Sequence, residues 1–316
     1  MSKYRRALPQ LGGNLFITDG GLETTLVFHD GVDLPAFAAF ALLERDDGVA
    51  ILRRYFARYA ALARARGVGV VLETPTWRAN DDWGGRLGYD AAALADANRR
   101  GVGLLLEIRA AYETPTTPVV ISGNLGPRGD GYRVDSRMSV EAAVAYHAAQ
   151  VDVFARTDAD MVAAFTMTYP EEAIGIAQAA KARGMPVAIS FTVETDGRLP
   201  CGMALGDAIE RTDAECEGYP AYYMVNCAHP THFESAIAPD ATWRMRVRGL
   251  RANASTKSHA ELDERTELDI GDPPALGEHY RALRMRLPAL SIVGGCCGTD
   301  DRHVEAICQA MHRKAD

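Results

Sequence analysis

Two adjacent cysteines, Cys296 and Cys297, lie in the stretch Ser291-Ile-Val-Gly-Gly-Cys-Cys-Gly-Thr299 near the end of a 316-residue chain. Successive side chains leave a regular strand on opposite faces, so neighbouring thiols converge only where the backbone turns sharply. Gly294, Gly295 and Gly298 permit such a turn. Cys227, which closes the run Tyr222-Tyr-Met-Val-Asn-Cys227, would supply a third thiol. Three thiolates read as a zinc site with one coordination position left open. Such a donor set leaves the complex with a net charge of about −1 if every cysteine deprotonates on binding. A metal so ligated is a poor activator of water. It suits an incoming thiol, which it would hold as thiolate at neutral pH where a free thiol of pKa about 8.5 is mostly protonated. The expected chemistry is therefore alkyl transfer to sulfur rather than hydrolysis.

Other uses of these residues compete with that reading. A vicinal disulfide between Cys296 and Cys297 could act as a redox switch, but it leaves Cys227 without a role. His229 and His232 lie close to Cys227, yet the spacing is too short for a finger-type pair and no second Cys-x-x-Cys accompanies them; the surface, or a position behind the ligands, is expected for both. Cys308 reads as helix core, and Cys201 and Cys216 as loop or helix-end residues without a role.

The elements that must position the thiols follow from the apolar pattern. Eight short runs read as buried parallel strands: 14–18, 68–72, 118–121, 160–163, 186–190, 222–225, 246–250 and 290–293. Helical patterns over 46–66, 89–112, 139–156, 170–183, 203–212, 274–286 and 300–312 separate most of them. Ser139 is placed to cap one helix, while Gly67 and Gly184 fall where two others should stop. The pattern predicts a single (β/α)8 TIM barrel over residues 1–316, with Cys227 after the sixth strand and Cys296 and Cys297 after the eighth. All three would sit at the carboxyl ends of strands, where barrel enzymes build their sites. The pattern is weakest over 231–243, which Pro239 interrupts, and over 251–272, which is polar and predicts an extended loop near the barrel mouth.

Composition narrows the function classes. Hydrophobic residues make up 47% of the chain, ample for a core, and the formal charge of −8 with no Lys/Arg-rich block argues against a nucleic-acid or acidic-membrane partner. Met1 to Arg6 is basic, but no apolar run of signal-peptide length follows, and no stretch approaches the roughly 20 apolar residues of a membrane span. A cytoplasmic location is expected. Six cysteines are too sparse for a disulfide scaffold. A homo-oligomer is compatible with the sequence.

Five stretches, Thr18-Asp-Gly-Gly-Leu-Glu-Thr24, Glu73-Thr-Pro-Thr-Trp-Arg-Ala-Asn80, Gly123-Asn-Leu-Gly-Pro127, Val225-Asn-Cys227 and Gly294-Gly-Cys-Cys-Gly298, resemble the homocysteine S-methyltransferase family over nearly the whole chain. That family includes betaine- and S-methylmethionine-dependent enzymes and the homocysteine domain of cobalamin-dependent methionine synthase. The resemblance implies a (β/α)8 barrel, Zn(2+) held by Cys227, Cys296 and Cys297, and methyl transfer to homocysteine giving methionine. It also implies that Asp19 lies near the amino-acid substrate and that Gly20 and Gly21 let backbone amides approach the ligand. By the same comparison Asn124 belongs to the pocket, Asn226 orients the metal site, and Asn253 faces the substrate.

One departure stands out. Relatives that use homocysteine usually carry, after the fourth strand, a glutamate that helps bind the substrate ammonium, and Phe165 occupies that position here. A phenyl ring cannot form the charge-assisted hydrogen bonds of a carboxylate, so either the amino acid is held differently or the acceptor is another thiol or selenol. A noncatalytic zinc-binding thiol sensor is a third reading. For the methyl donor, a free sulfonium or quaternary ammonium compound is expected, since no cobalamin- or folate-binding domain is evident. Trp77, Phe165 and Tyr169 follow strand ends where an aromatic cage for such a cation could form, with Glu73 adding negative charge.

Overall fold

The computed structural model describes residues 2–263 and 267–312. Its eight parallel strands close into a barrel in sequence order: β1 Phe16–Ile17, β2 Gly69–Glu73, β3 Val119–Leu125, β4 Met161–Met167, β5 Val187–Phe191, β6 Tyr222–Asn226, β7 Val247–Ala252 and β8 Ile292–Gly295. Each falls within or overlaps one of the eight apolar runs. The expected helices form at Asp46–Arg66, Ala91–Tyr112, Val140–Ala155, Pro170–Ala182, Leu205–Cys216, Pro273–Arg286 and Asp301–His312. The Ser139 hydroxyl accepts from the Ala142 amide at 3.2 Å, and Gly67 and Gly184 take left-handed conformations that end their helices. Between β6 and β7 the chain makes a short helix, Pro230–Phe233, and two 3-10 turns in place of a long helix. Among the described residues, the polar segment after β7 is a loop carrying a short helix, His259–Asp263. No helix among the described residues is long and apolar enough to cross a membrane.

Two hydrophobic clusters follow from the period-2 alternation of the strands. One fills the space between barrel and helices, with Leu72, Ile121, Val162, Ala164, Ile189 and Val225. The other fills the barrel interior, with Val71, Val120, Met161, Ala163, Phe165, Ala188, Tyr222 and Met224. Extending the interior set by two residues along each strand brings Glu73, Ser122, Ser190 and Asn226 to the inner face at the carboxyl end, above the apolar plug. The same parity puts Arg251 of β7 inside. Register ties these positions together: Glu73 pairs with Ser122, Asn226 with Arg251, and Arg251 with Gly294.

Candidate metal centre and substrate pocket

The three cysteines meet at the carboxyl end of the barrel, their sulfurs all within 4.8 Å of one another. Cys227 leaves β6 in a left-handed conformation (φ 54°), unusual for a residue with a side chain. Its carbonyl accepts from Asn253 Nδ2 at 3.0 Å and from His259 Nε2 at 2.5 Å, and its amide donates to the Arg251 carbonyl at 3.0 Å. The Cys296 amide bonds the Ala252 carbonyl at 2.8 Å, and the Cys297 carbonyl accepts from the Ala254 amide at 3.0 Å. The eighth-strand loop is thus stitched along the end of β7. Gly294 and Gly295 are required by space: a Cβ at either would fall on the Thr18 or Thr299 hydroxyl. Gly298 takes φ 79°.

The Cys227 and Cys296 sulfurs lie against each other, and Cys297 stands beside them. The vicinal pairing of Cys296 with Cys297 is not formed; the sulfur contact is between two separate strand ends. Burial pushes the Cys297 thiol up to about 11, with the Tyr132 hydroxyl opposing, so a thiolate there calls for a cation beside it. Reduced, the three sulfurs offer the soft donor set that suits zinc. His229 and His232 are buried rather than on the surface. His229 Nδ1 bonds Thr231 and His232 Nε2 bonds the Thr256 carbonyl, and neither joins the thiol cluster.

Beneath the thiols lies a cavity of about 80 Å³ lined by Asp19, Gly20, Gly21, Glu73, Trp77, Asn124, Phe165, Asn226 and the three cysteines, among others. Of the residues expected at the site, Tyr169 lies outside this inner cavity, and so does Asn253. It lines a wider vestibule of about 480 Å³ that shares Glu23, Trp77, Tyr132 and Cys297 with the inner one. Gly20 and Gly21 line the cavity, and crowding also requires them to be small. A Cβ on Gly20 would press on the Tyr59 hydroxyl and the Thr299 carbonyl, and one on Gly21 on the Cys296 carbonyl. They admit the cysteine loop, and the Gly21 amide is already spent on the Thr299 carbonyl at 3.0 Å.

Asp19 does not face the cavity as a lone carboxylate. It pairs with Arg251 at 2.7 Å and accepts from the Tyr55 hydroxyl at 3.1 Å; burial still raises its pKa. Arg251 also donates to the Gly295 and Gly20 carbonyls, each at 3.0 Å, and its guanidinium lies 5.1 Å from the Phe165 ring centroid. Asn226 is fully buried. Its Oδ1 accepts from the Thr166 amide at 2.9 Å and the Ser190 hydroxyl at 2.6 Å, and its Nδ2 donates to the Thr166 hydroxyl at 2.9 Å. Thr166 is itself left-handed (φ 63°) at the irregularity in β4. Of the three aromatic residues, Trp77 and Phe165 line the cavity and Tyr169 does not. The Trp77 ring carries the Arg78 guanidinium at 4.0 Å, and the Tyr169 hydroxyl accepts from the Met138 amide.

Sequence reasoning missed three residues. Arg251 hides in a strand but is betrayed by its inward parity. Tyr132, whose hydroxyl lies 3.8 Å from Cys297 Sγ, and His259, whose ring lies 4.2 Å from that of Tyr132, come from loops where no periodicity marks them.

An eight-stranded parallel barrel with a cluster of three thiols at the carboxyl ends of its strands defines the class: a TIM barrel with a site able to hold a metal ion. The family model for homocysteine S-methyltransferase matches residues 16–311, and the chain belongs to that family. It is 27% identical to the Escherichia coli homocysteine S-methyltransferase over 70% of this chain and 73% of that one. It is 24% identical to the Xenopus laevis betaine–homocysteine S-methyltransferase 1 over 95% and 73%. The crystal structure of the homocysteine methyltransferase MmuM from Escherichia coli in its oxidized form superposes with a TM-score of 0.74 at 21% identity, covering 96% of this chain and 99% of that one.

Proposed function

We propose that the protein is a zinc-dependent S-methyltransferase that moves a methyl group from a small cationic donor to a thiol, with homocysteine as acceptor and methionine as product. The observation that carries this reading is the convergence of Cys227, Cys296 and Cys297 at the mouth of one cavity. Those three residues would hold the zinc. When bound, it supplies the positive charge that keeps an acceptor sulfur deprotonated and nucleophilic at neutral pH.

The chain's own residues do the rest. Asn253 and His259 fix the Cys227 backbone, and Asn226 fixes the strand end beside it. The small inner cavity suits the acceptor, whose sulfur would enter toward the thiols. The vestibule suits the donor: among the described residues its walls carry Glu23, Asp130, Glu267 and Asp269 against Arg78, with Phe28, Phe37 and Tyr132 as apolar surface. An acidic, aromatic wall favours a sulfonium or quaternary ammonium group. In the reaction the acceptor sulfur pair forms a bond to the methyl carbon as the bond from that carbon to the donor sulfur or nitrogen breaks. The donor leaves as a neutral thioether or tertiary amine, and the thiol proton has already been lost to solvent.

Phe165 favours a second reading, a different thiol or selenol acceptor, because it presents a phenyl ring to the inner cavity. Assay of the zinc-loaded protein against a panel of thiols with S-methylmethionine or betaine separates the two. Methylation of homocysteine above the uncatalysed rate, abolished by chelation, is expected. No acceleration with homocysteine but turnover of another thiol refutes the first reading, and thiol binding with no methylated product from any donor points to a sensor.

A further inference from the structure

The inner cavity contains a second charged group whose environment is incomplete. Glu73 ends β2 on the inner face of the barrel, is 4% exposed and lines the cavity that the thiols cap. Its Oε2 is buried without a hydrogen-bond partner. The Ser122 hydroxyl, its register neighbour on β3, is also unbonded, so no well-formed hydrogen bond joins the two. The cation that could neutralise Glu73 is committed elsewhere, since Arg251 is paired with Asp19 and bonded to two carbonyls. Burial accordingly pushes the Glu73 carboxyl up to about 7, with the Arg251 charge and Ser122 opposing. A buried carboxylate with an unmet acceptor, facing a ligand cavity, is a socket for a cationic hydrogen-bond donor.

Resting on the methyl-transfer reading above, we propose that Glu73 anchors an ammonium group of the thiol acceptor, so that the site selects amino thiols over thiols lacking the amine. Glu23 lines the vestibule as well as the cavity and is placed for the donor. Glu73 lines the inner cavity alone, below the sulfurs, where the far end of a short acceptor would lie once its own sulfur reached the thiols. Phe165, two strands along on the inner face of β4, then needs no charge: it packs the acceptor's methylene chain, with its ring also facing Arg251.

The test uses the zinc-loaded full-length protein without methyl donor, titrated calorimetrically with homocysteine and with 4-mercaptobutanoate, the same chain without the amine. Wild type is expected to bind homocysteine at least about tenfold more tightly, the value of one charge-assisted hydrogen bond. Glu73→Gln should bring the ratio to within about threefold of unity while leaving 4-mercaptobutanoate affinity and zinc content unchanged, and Glu73→Asp should retain most of the preference. A ratio near unity in wild type overturns the proposal even if the variants fail to fold, and so does an undiminished ratio in Glu73→Gln. The two readings fail separately. Discrimination in binding with no product from any donor removes the methyl-transfer assignment and leaves Glu73 as the ammonium socket. Methylation that treats both thiols alike does the reverse.

Discussion

Replacing Asn226 with alanine tests how the metal centre is supported. The side chain makes three hydrogen bonds to Thr166 and Ser190, all buried, each worth about 1 kcal/mol. Truncation also leaves the buried Thr166 amide without an acceptor, at about 1–3 kcal/mol, partly offset if Thr166 relaxes from its left-handed conformation (φ 63°). The expected loss is about 3–5 kcal/mol, read as the urea midpoint shift of the zinc-free, reduced protein at an unchanged slope. Asn226→Asp keeps both acceptor roles and should lose less. A double-mutant cycle sharpens the reasoning: Thr166→Gly removes the strain that Asn226 holds in place. It should cost Asn226→Ala protein less than it costs wild type, or even stabilise it, with a coupling of about 1 kcal/mol or more. A loss below about 1 kcal/mol for Asn226→Ala, or strict additivity in the cycle, would refute the idea that Asn226 clamps the β4 irregularity.

Further outcomes test the site and its surroundings. Cys227→Ser and Cys297→Ser should each cut retained zinc from about one per chain to a small fraction, measured by atomic absorption after gel filtration; full retention in both removes the ligand assignment. His259→Ala deletes the bond to the Cys227 carbonyl and should weaken zinc binding about tenfold in chelator competition, with little change in thermal midpoint. Gly295→Ala places a methyl on Thr299, which holds the Cys296 carbonyl at 2.7 Å. It should cost roughly 1–3 kcal/mol and lower zinc affinity as well. The raised pKa of Glu73, 4.5 to about 7, means the folded state binds more protons than the unfolded one across that interval. Stability should therefore fall as pH rises from about 4.5 to 7, by at most about 3 kcal/mol from this group, and Glu73→Gln should flatten that slope in urea titrations.

The strands are legible because parallel barrel strands are buried on both faces and read as unbroken apolar runs; β2 and β5 could be placed to within one residue on that signal alone. The thiol cluster is legible for a similar reason, since Gly294, Gly295 and Gly298 announce a turn that only a crowded strand end requires. What was hidden depends on parity and on loops. Glu73 shows in the sequence as one more charge at a strand end, and only closure of the barrel sets its carboxylate inside with an oxygen unmet. Asp19 is legible as a site residue, but its partner Arg251 lies far away in sequence, and the pairing changes what Asp19 can do. Tyr132 reaches the Cys297 sulfur and His259 the Cys227 carbonyl from segments held by turns and side-chain bonds, where neither a period of 2 nor one of 3.6 applies.

The geometry of the thiol cluster depends on β7 as much as on the strands that carry the cysteines. β6 and β8 are not neighbours; β7 lies between them, and two ladder spacings would hold equivalent residues about 9–10 Å apart. Yet the Cα atoms of Cys227 and Cys296 are 5.4 Å apart. Both chains must therefore bend inward across the end of β7. The left-handed turn at Cys227 does this from one side and the glycine turn from the other, each bonded to β7 or its continuation through Arg251, Ala252, Asn253 and Ala254. Arg251 sits in the row shared with Asn226 and Gly294, directly below this crossing, and its guanidinium bonds the Gly295 and Gly20 carbonyls while pairing with Asp19. It follows that Arg251 braces the crossing from beneath, with its charge neutralised by Asp19. Asp19 is thereby committed to Arg251, which leaves Glu73 and Glu23 as the carboxylates of the inner cavity outside that ion pair.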